Sequence, residues 1–311
     1  METLYKNVRS WMYRNARPID IARWKYHFEE GTKEEVLKAL SAYQNQDGGF
    51  GHALEADSWN PNSSPIQTWC ATEILYEIGL VEKDNSIVLG ILKYLEEGKD
   101  SKKGFWLAEI PTNNEYPHAP WWSYSENVTE EWGYNPTICL VGFILYYDTK
   151  GSKLYELALD IGKKAIKEAL SSKQQLDMHQ LNCYSRFYDY CERTELRDEF
   201  CTMEFLSYLK SQVKSCICTE KQAWYHGYIC RAQQFVESPE SRYYEDNKEM
   251  AEYEVEFIMN SINAEGSYNV NWSWGNYPSE WAISKNWWMV NQCVLNMKYL
   301  KEFGYLDHYK K

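Results

Sequence analysis

His52, Glu55 and Asp57 stand within six residues in the segment His52-Ala53-Leu54-Glu55-Ala56-Asp57-Ser58-Trp59-Asn60-Pro61. Two carboxylates and an imidazole at this spacing could supply a general acid and a partner that tunes it, provided burial raises one carboxyl above its ordinary range. The same residues also suit a structural reading, in which Asp57 or Asn60 caps the loop and Glu55 faces solvent. A second group lies in Tyr116-Pro117-His118-Ala119-Pro120-Trp121-Trp122, which continues to Glu126 and to Glu130-Glu131-Trp132-Gly133. Prolines stiffen that stretch, so His118, Trp121 and Trp122 are held at low entropic cost. They form either a wall for a prenyl chain, a carbocation or a sugar ring, or a packed plug. The third group is Asn271-Trp272-Ser273-Trp274-Gly275-Asn276-Tyr277-Pro278, followed by Trp281, Trp287 and Trp288. Trp272 and Trp274 are ligand candidates, with cross-helix packing the alternative. His179, Tyr184 and Arg186 near one helix start, and His226 near another, complete the set of candidate binding residues, although a helical histidine is also a common satisfied core residue.

Helices and glycine loops must position these groups. Gln44-Asn45-Gln46-Asp47-Gly48-Gly49-Phe50-Gly51 reads as a helix end, because paired glycines supply the positive φ that closes a helix. After the polar lip, Ser64 supplies an N-cap and Pro65 suits the first helical position, so a new helix begins there and runs to Leu75. The lip then sits at the N-terminus of an apolar helix.

This segment, with Ser64-Pro65-Ile66-Gln67-Thr68 after it, resembles the repeat of the terpene cyclase and protein prenyltransferase β-subunit superfamily. The likeness covers residues 44–75. It implies an all-α fold, an α/α toroid of about six helical hairpins in two concentric layers, with the long loops and inner helix N-termini gathered at one end. Family members that cyclise terpenes by protonation use an Asp-x-Asp-Asp motif, of which Glu55-x-Asp57 is a distant echo at another position. The prenyltransferases hold zinc through an Asp-x-Cys pair and a later histidine. No Asp-x-Cys occurs at the corresponding hairpin, and His179 with Cys183 offers only an i, i+4 pair, so no metal is expected. An Asp-Asp-x-x-Asp magnesium site is also missing, and Arg14, Arg17, Arg23 and Arg186 are the only plausible diphosphate partners. No cofactor is expected.

The periodicity agrees with helix throughout, since apolar residues recur at three-and-four spacing and no run alternates convincingly. Outer helices are predicted over about 3–14, 32–44, 84–97, 152–170, 196–213 and 242–261. Inner ones are predicted over about 18–29, 64–78, 135–148, 175–191, 219–235 and 279–303. Residues 152–169 carry one stripe of Leu154, Leu157, Ala158, Ile161, Ala165, Ile166 and Ala169, whereas 135–145 is apolar on nearly every side and must be buried all round. Thr32 with Glu35 and Thr219 with Gln222 have capping-box spacing, and Asn135-Pro136 repeats the cap-then-proline pattern. Gly48-Gly49-Phe50, Gly104-Phe105-Trp106 and Gly266-Ser267-Tyr268 recur after outer helices, which points to repeated hairpins packed side by side.

Composition narrows the partners. The 311 residues, 44% hydrophobic with no linker-like stretch, read as one domain over 1–311. A net charge of −12 leaves no basic face for nucleic acid. No signal pattern opens the chain and no window approaches the roughly 18 apolar residues of a spanning helix, so a cytoplasmic protein without a transmembrane segment is expected. The nine cysteines lack Cys-x-x-Cys spacing and read as buried thiols.

The leading expectation is a terpene cyclase-like or prenyltransferase-like protein with an aromatic-lined cavity for an isoprenoid-like or other apolar ligand. In it, Asp57 or Glu55 protonates and Trp121, Trp122, Trp272 and Trp274 stabilise cations. A glycan-active toroid pairing Glu55 or Asp57 with Glu126 or Glu130 is the alternative, because glycosidases set two carboxyl groups about 5 to 9.5 Å apart. A binding scaffold without chemistry is the third reading.

Overall fold

The computed structural model describes residues 1–172 and 174–306. Helices dominate it: α1 (Glu2–Asn15), α2 (Pro18–Phe28), α3 (Lys33–Ser41), α4 (Pro65–Glu77), α5 (Ser86–Glu97), α6 (Val128–Trp132), α7 (Thr137–Tyr147), α8 (Lys153–Ser171), α9 (Met178–Glu192), α10 (Arg197–Phe200), α11 (Met203–Cys216), α12 (Tyr244–Asn260) and α13 (Pro278–Glu302). The chain divides into two compact units, 41–213 and 1–40 with 214–311.

In the 41–213 unit, α7 lies between α4 and α9, while α8 packs on α7 and against α5. Ile138, Cys139, Leu140, Val141, Phe143 and Ile144 of α7 are all fully buried, as an all-round apolar helix requires. Gly142 permits the closest approach to α9, since a Cβ there would stand 3.0 Å from the Cα of Phe187. In α8 the buried stripe is Leu154, Ala158, Ile161, Ala165 and Ala169. Leu157, expected in that stripe, is instead exposed, because it lies off the 3.6-residue line that the others follow.

In the other unit, α13 packs against α1, α2 and α12, so segments from both ends of the chain share one core of Val8, Met12, Trp24, Ile258, Val290, Val294 and Met297. Capping at Thr32 is reciprocal. Its N–H donates to Glu35 Oε2 at 3.0 Å, and Glu35 N–H donates to Thr32 Oγ1 at 3.3 Å.

Two of the three glycine joints are alike bond for bond. Asn45 N–H donates to the Gly49 carbonyl and Gly48 N–H to the Asn45 carbonyl, and Asn263 and Gly266 repeat the pair with Ser267 and Asn263. Gly48 and Gly266 have φ of +92° and +96°. Each presses on another helix: a Cβ would lie 2.1 Å from the Gly90 carbonyl oxygen of α5 at the first, and 2.4 Å from that of Asn7 in α1 at the second. Gly104 differs. With Lys103 at φ +53° and Gly104 at +84°, it turns a two-stranded hairpin, β1 (Ser101–Lys102) and β2 (Phe105–Trp106).

Three expected boundaries change. The predicted inner helix 219–235 contains only 3₁₀ turns at Lys221–Tyr225 and Ala232–Gln234. Its run Trp224-Tyr225-His226-Gly227-Tyr228-Ile229 combines glycine with residues of low helix propensity, and the indole Nε1 of Trp224 donates instead to the Cys218 carbonyl at 2.9 Å. Thr219 therefore caps no α-helix. The predicted outer helix 196–213 is broken into α10 and α11. At the third position Asn135-Pro136 is a cis peptide, α7 starts at Thr137, and Asn135 Oδ1 faces Cys183 Sγ at 3.4 Å rather than capping.

Candidate functional site

The lip between α3 and α4 is built around its polar side chains. Ser64 Oγ caps α4 by accepting from Gln67 N–H at 3.3 Å, and the next turn then aims Gln67 and Thr68 back at the lip. Gln67 Oε1 accepts the Glu55 N–H at 3.2 Å, and its Nε2 donates to the carbonyls of Ser58 and Asn60 at 3.1 and 3.2 Å. Thr68 Oγ1 accepts from Phe50 N–H at 3.1 Å. One helical turn thus holds the backbone of the lip at four points, beside the lip's own backbone bonds such as His52 N–H to the Asn60 carbonyl at 3.0 Å.

That clamp holds a strained segment. His52 and Ala53 are consecutive non-glycine residues with φ of +60° and +58°, a conformation that persists only where surrounding contacts enforce it. Beyond them the chain turns inward. Glu55 is 6% exposed and Asp57 3%, and the Glu55 Oε2 accepts the Asp57 N–H at 2.9 Å. The imidazole does not join the two carboxylates: His52 is exposed, with Nε2 2.9 Å from Asn45 Oδ1. The expected trio is therefore a pair, because the left-handed turn at 52–53 rotates His52 outward.

The second lip is tied to the first. Ala119 N–H donates to the Asp57 carbonyl at 2.8 Å and Trp59 N–H to that of Pro117 at 2.9 Å. Asn60 Nδ2 reaches Thr112 Oγ1 and Asn113 Oδ1 at 2.8 and 2.9 Å. His118 is buried, with Nδ1 against the Tyr116 carbonyl at 2.6 Å and Nε2 2.9 Å from Ser123 Oγ. A carbonyl only accepts, so Nδ1 carries a proton.

The aromatic wall is partly formed. Trp122 stacks on Trp132 at 4.9 Å and 14°, while Trp121 stands at the surface, 36% exposed. Against that stack lies Glu109, whose Oε1 accepts the Trp132 Nε1–H at 2.5 Å and Oε2 the Ser125 N–H at 3.0 Å. Burial pushes its carboxyl up, and those two hydrogen bonds pull it partly back. Glu126 and Glu130 are both exposed, so neither is buried with Glu55 and Asp57.

The other expected residues separate. His179 is half-buried at the start of α9, where Asp177 caps the helix, and burial lowers its pKa. Tyr184 is buried and points at α8, donating to the Ala165 carbonyl at 3.4 Å. Cys183 faces Asn135, and its thiol is pushed well up by burial. Arg186 pairs with Glu73 at 3.0 Å and Asp189 at 2.9 Å and lies 3.6 Å over the Tyr76 ring. Six residues separate Glu73 from Gln67 on α4, about 9 Å along the axis. In the other unit, His226 is exposed on the loop that replaces the expected helix. Trp272 touches Tyr228 and Trp288 edge-on, and Trp274 is buried beside Trp281.

Glu73, Glu109 and Gln67 escape a reading by sequence. Gln67 stands within the Ser-Pro-Ile-Gln-Thr motif and was open to detection, since a polar residue in the first turn of a buried helix needs a partner. Glu73 and Glu109 give no local signal.

No group of three His, Cys, Asp or Glu side chains that could hold a metal occurs among the described residues. Among the described residues no helix is long and apolar enough to cross a membrane. Comparison of the chain with protein-family models, curated proteins and solved structures finds no match.

Proposed function

We propose that this chain is a helical-hairpin toroid of the terpene cyclase and prenyltransferase type, whose first lip presents Glu55 and Asp57 to an apolar, isoprenoid-like ligand. The repeated joint at 45–49 and 263–267 supports the hairpin repeat. The observation that carries the site is the pair of left-handed residues His52 and Ala53 immediately before two buried carboxylates. Strain that neighbouring contacts must enforce is retained where geometry serves a site, and a carboxyl out of water is the form suited to donate a proton. In this reading Asp57 is the proton donor and Glu55, which accepts the Asp57 N–H, its support. The Trp122–Trp132 stack supplies a π-face for a developing cation.

Purified protein incubated with squalene or geranylgeraniol is expected to yield cyclised products by gas chromatography and mass spectrometry. Asp57→Asn removes the donor and leaves the fold intact by circular dichroism. Product formation unchanged in Asp57→Asn sinks the acid assignment.

A further inference from the structure

Three of the nine cysteines meet at the neck of the loop 217–230. Helix α11 ends at Cys216, and two residues later the N–H of Cys218 donates to the Cys230 carbonyl at 2.9 Å. This bond lays the two backbone segments side by side, and the sulfurs of Cys216 and Cys230 come within hydrogen-bonding reach of each other. The Cys218 sulfur turns away, towards the Glu220 carbonyl at 3.8 Å. All three are thiols rather than disulfides; Cys216 and Cys218 are half-buried and Cys230 is buried. Cys216 is the more exposed of the interacting pair, so it is the sulfur that a reagent in solution reaches first, while the hydrogen bond with Cys216 and burial push the Cys230 thiol up.

Side chains also hold the loop: Trp224 packs on Tyr253 and Phe257, and Arg231 pairs with Glu254 at 3.5 Å. Trp224 Nε1 bonds the Cys218 carbonyl, and Asn271 Nδ2 reaches the carbonyls of Trp224 and Gly227 at 3.3 and 3.1 Å. Cys230 Sγ also reaches the Arg231 carbonyl at 3.8 Å, so the paired backbones at the neck bring two interacting thiols together at the ends of a loop without regular helix.

We propose that Cys216 and Cys230 are a reversible redox pair that closes to an intramolecular disulfide when a low-molecular-weight disulfide is the oxidant. The Cys216 thiolate, its proton released to water, attacks one sulfur of the oxidant, breaks its S–S bond and expels one thiolate. Cys230, losing its proton, then attacks the Cys216 sulfur of the mixed disulfide and expels the second. Two protein thiols are oxidised by two electrons, and one disulfide is reduced to two thiols. The loop that carries Trp224, Tyr225, His226 and Tyr228 is then tied covalently to the end of α11.

The test exposes the full chain to oxidised glutathione at mildly alkaline pH, counts thiols after denaturation and maps peptides without reduction. The count is expected to fall from nine to seven, with a linked peptide joining Cys216 to Cys230 that dithiothreitol separates. The Cys230→Ser variant is expected to stop at the mixed disulfide on Cys216. Nine thiols surviving the treatment, or a link that joins other cysteines, Cys218 to Cys230 included, overturns the proposal. The wild-type peptide map decides the matter even if the variant fails to fold.

Discussion

Gln67 reaches back from the first turn of α4 and takes the backbone N–H of Glu55 on its side-chain oxygen at 3.2 Å. Its amide nitrogen meanwhile holds the carbonyls of Ser58 and Asn60. One side chain therefore serves three backbone groups of the lip, of which the Asn60 carbonyl also accepts the His52 N–H at 3.0 Å. Gln67→Ala is expected to cost roughly 2–4 kcal/mol, since each orphaned buried group costs about 1–3 kcal/mol less what water recovers. Urea denaturation measures it. Gln67→Glu keeps the acceptor for Glu55 but sets a carboxyl oxygen against both carbonyls in a fully buried place, so at neutral pH it should cost at least as much as alanine.

The two like joints should respond alike to a methyl group. Gly48→Ala and Gly266→Ala each combine positive φ with a Cβ under 2.5 Å from a carbonyl oxygen, and each is expected to cost more than about 3 kcal/mol. Gly151 has φ +81° with nothing within 4 Å, so Gly151→Ala carries the conformational cost alone, about 1–2 kcal/mol. Equal losses at all three positions in thermal melts would refute close approach as the cause.

Replacing Trp132 by Phe keeps a ring on Trp122 and removes the donor to Glu109 Oε1. The loss leaves half of a buried carboxylate unpaired, at about 1–3 kcal/mol. That hydrogen bond lowers the Glu109 pKa, so its removal raises the pKa further. The ionised form then suffers more, and the deficit of Trp132→Phe against wild type should be larger at pH 7 than at pH 5 in paired denaturation curves.

Glu254 on α12 is fully buried, and burial raises its carboxyl despite Arg231 at 3.5 Å and the N–H of Gln233. A carboxyl whose folded pKa lies above its unfolded value binds protons more readily when folded. Its contribution therefore favours folding below the unfolded value, about 4.3, and is lost as pH rises through the folded one. The stability of wild type relative to Glu254→Gln should fall from pH 4 to pH 7. A difference that is flat or rises across that window refutes it.

The sequence was most informative where periodicity and turn chemistry act locally. The all-round apolar run at 135–145 has no stable exposed state, so it announced α7; Ser64-Pro65 announced the start of α4, and Thr32 with Glu35 the cap of α3. Local signals failed at 219–235, where a capping spacing was present and the helix was not. There Trp224, Cys230 and Phe235 find burial as loop side chains, a choice made by their neighbours and not by their own propensities.

For the site, residue types in the first lip marked Glu55 and Asp57, and sequence alone could place them beside a helix start. It could not separate His52 from them, since one positive φ decides which way a side chain faces. Nor could it pair Glu109 with Trp132, Glu73 with Arg186, or Cys216 with Cys230. Each of those contacts joins segments that chain order leaves independent, and only packing brings them to hydrogen-bond distance. Sequence thus determined the helical character, the glycine joints and the chemistry on offer. Tertiary structure decided which groups meet and which are buried, because burial and long-range contact depend on the whole packed chain.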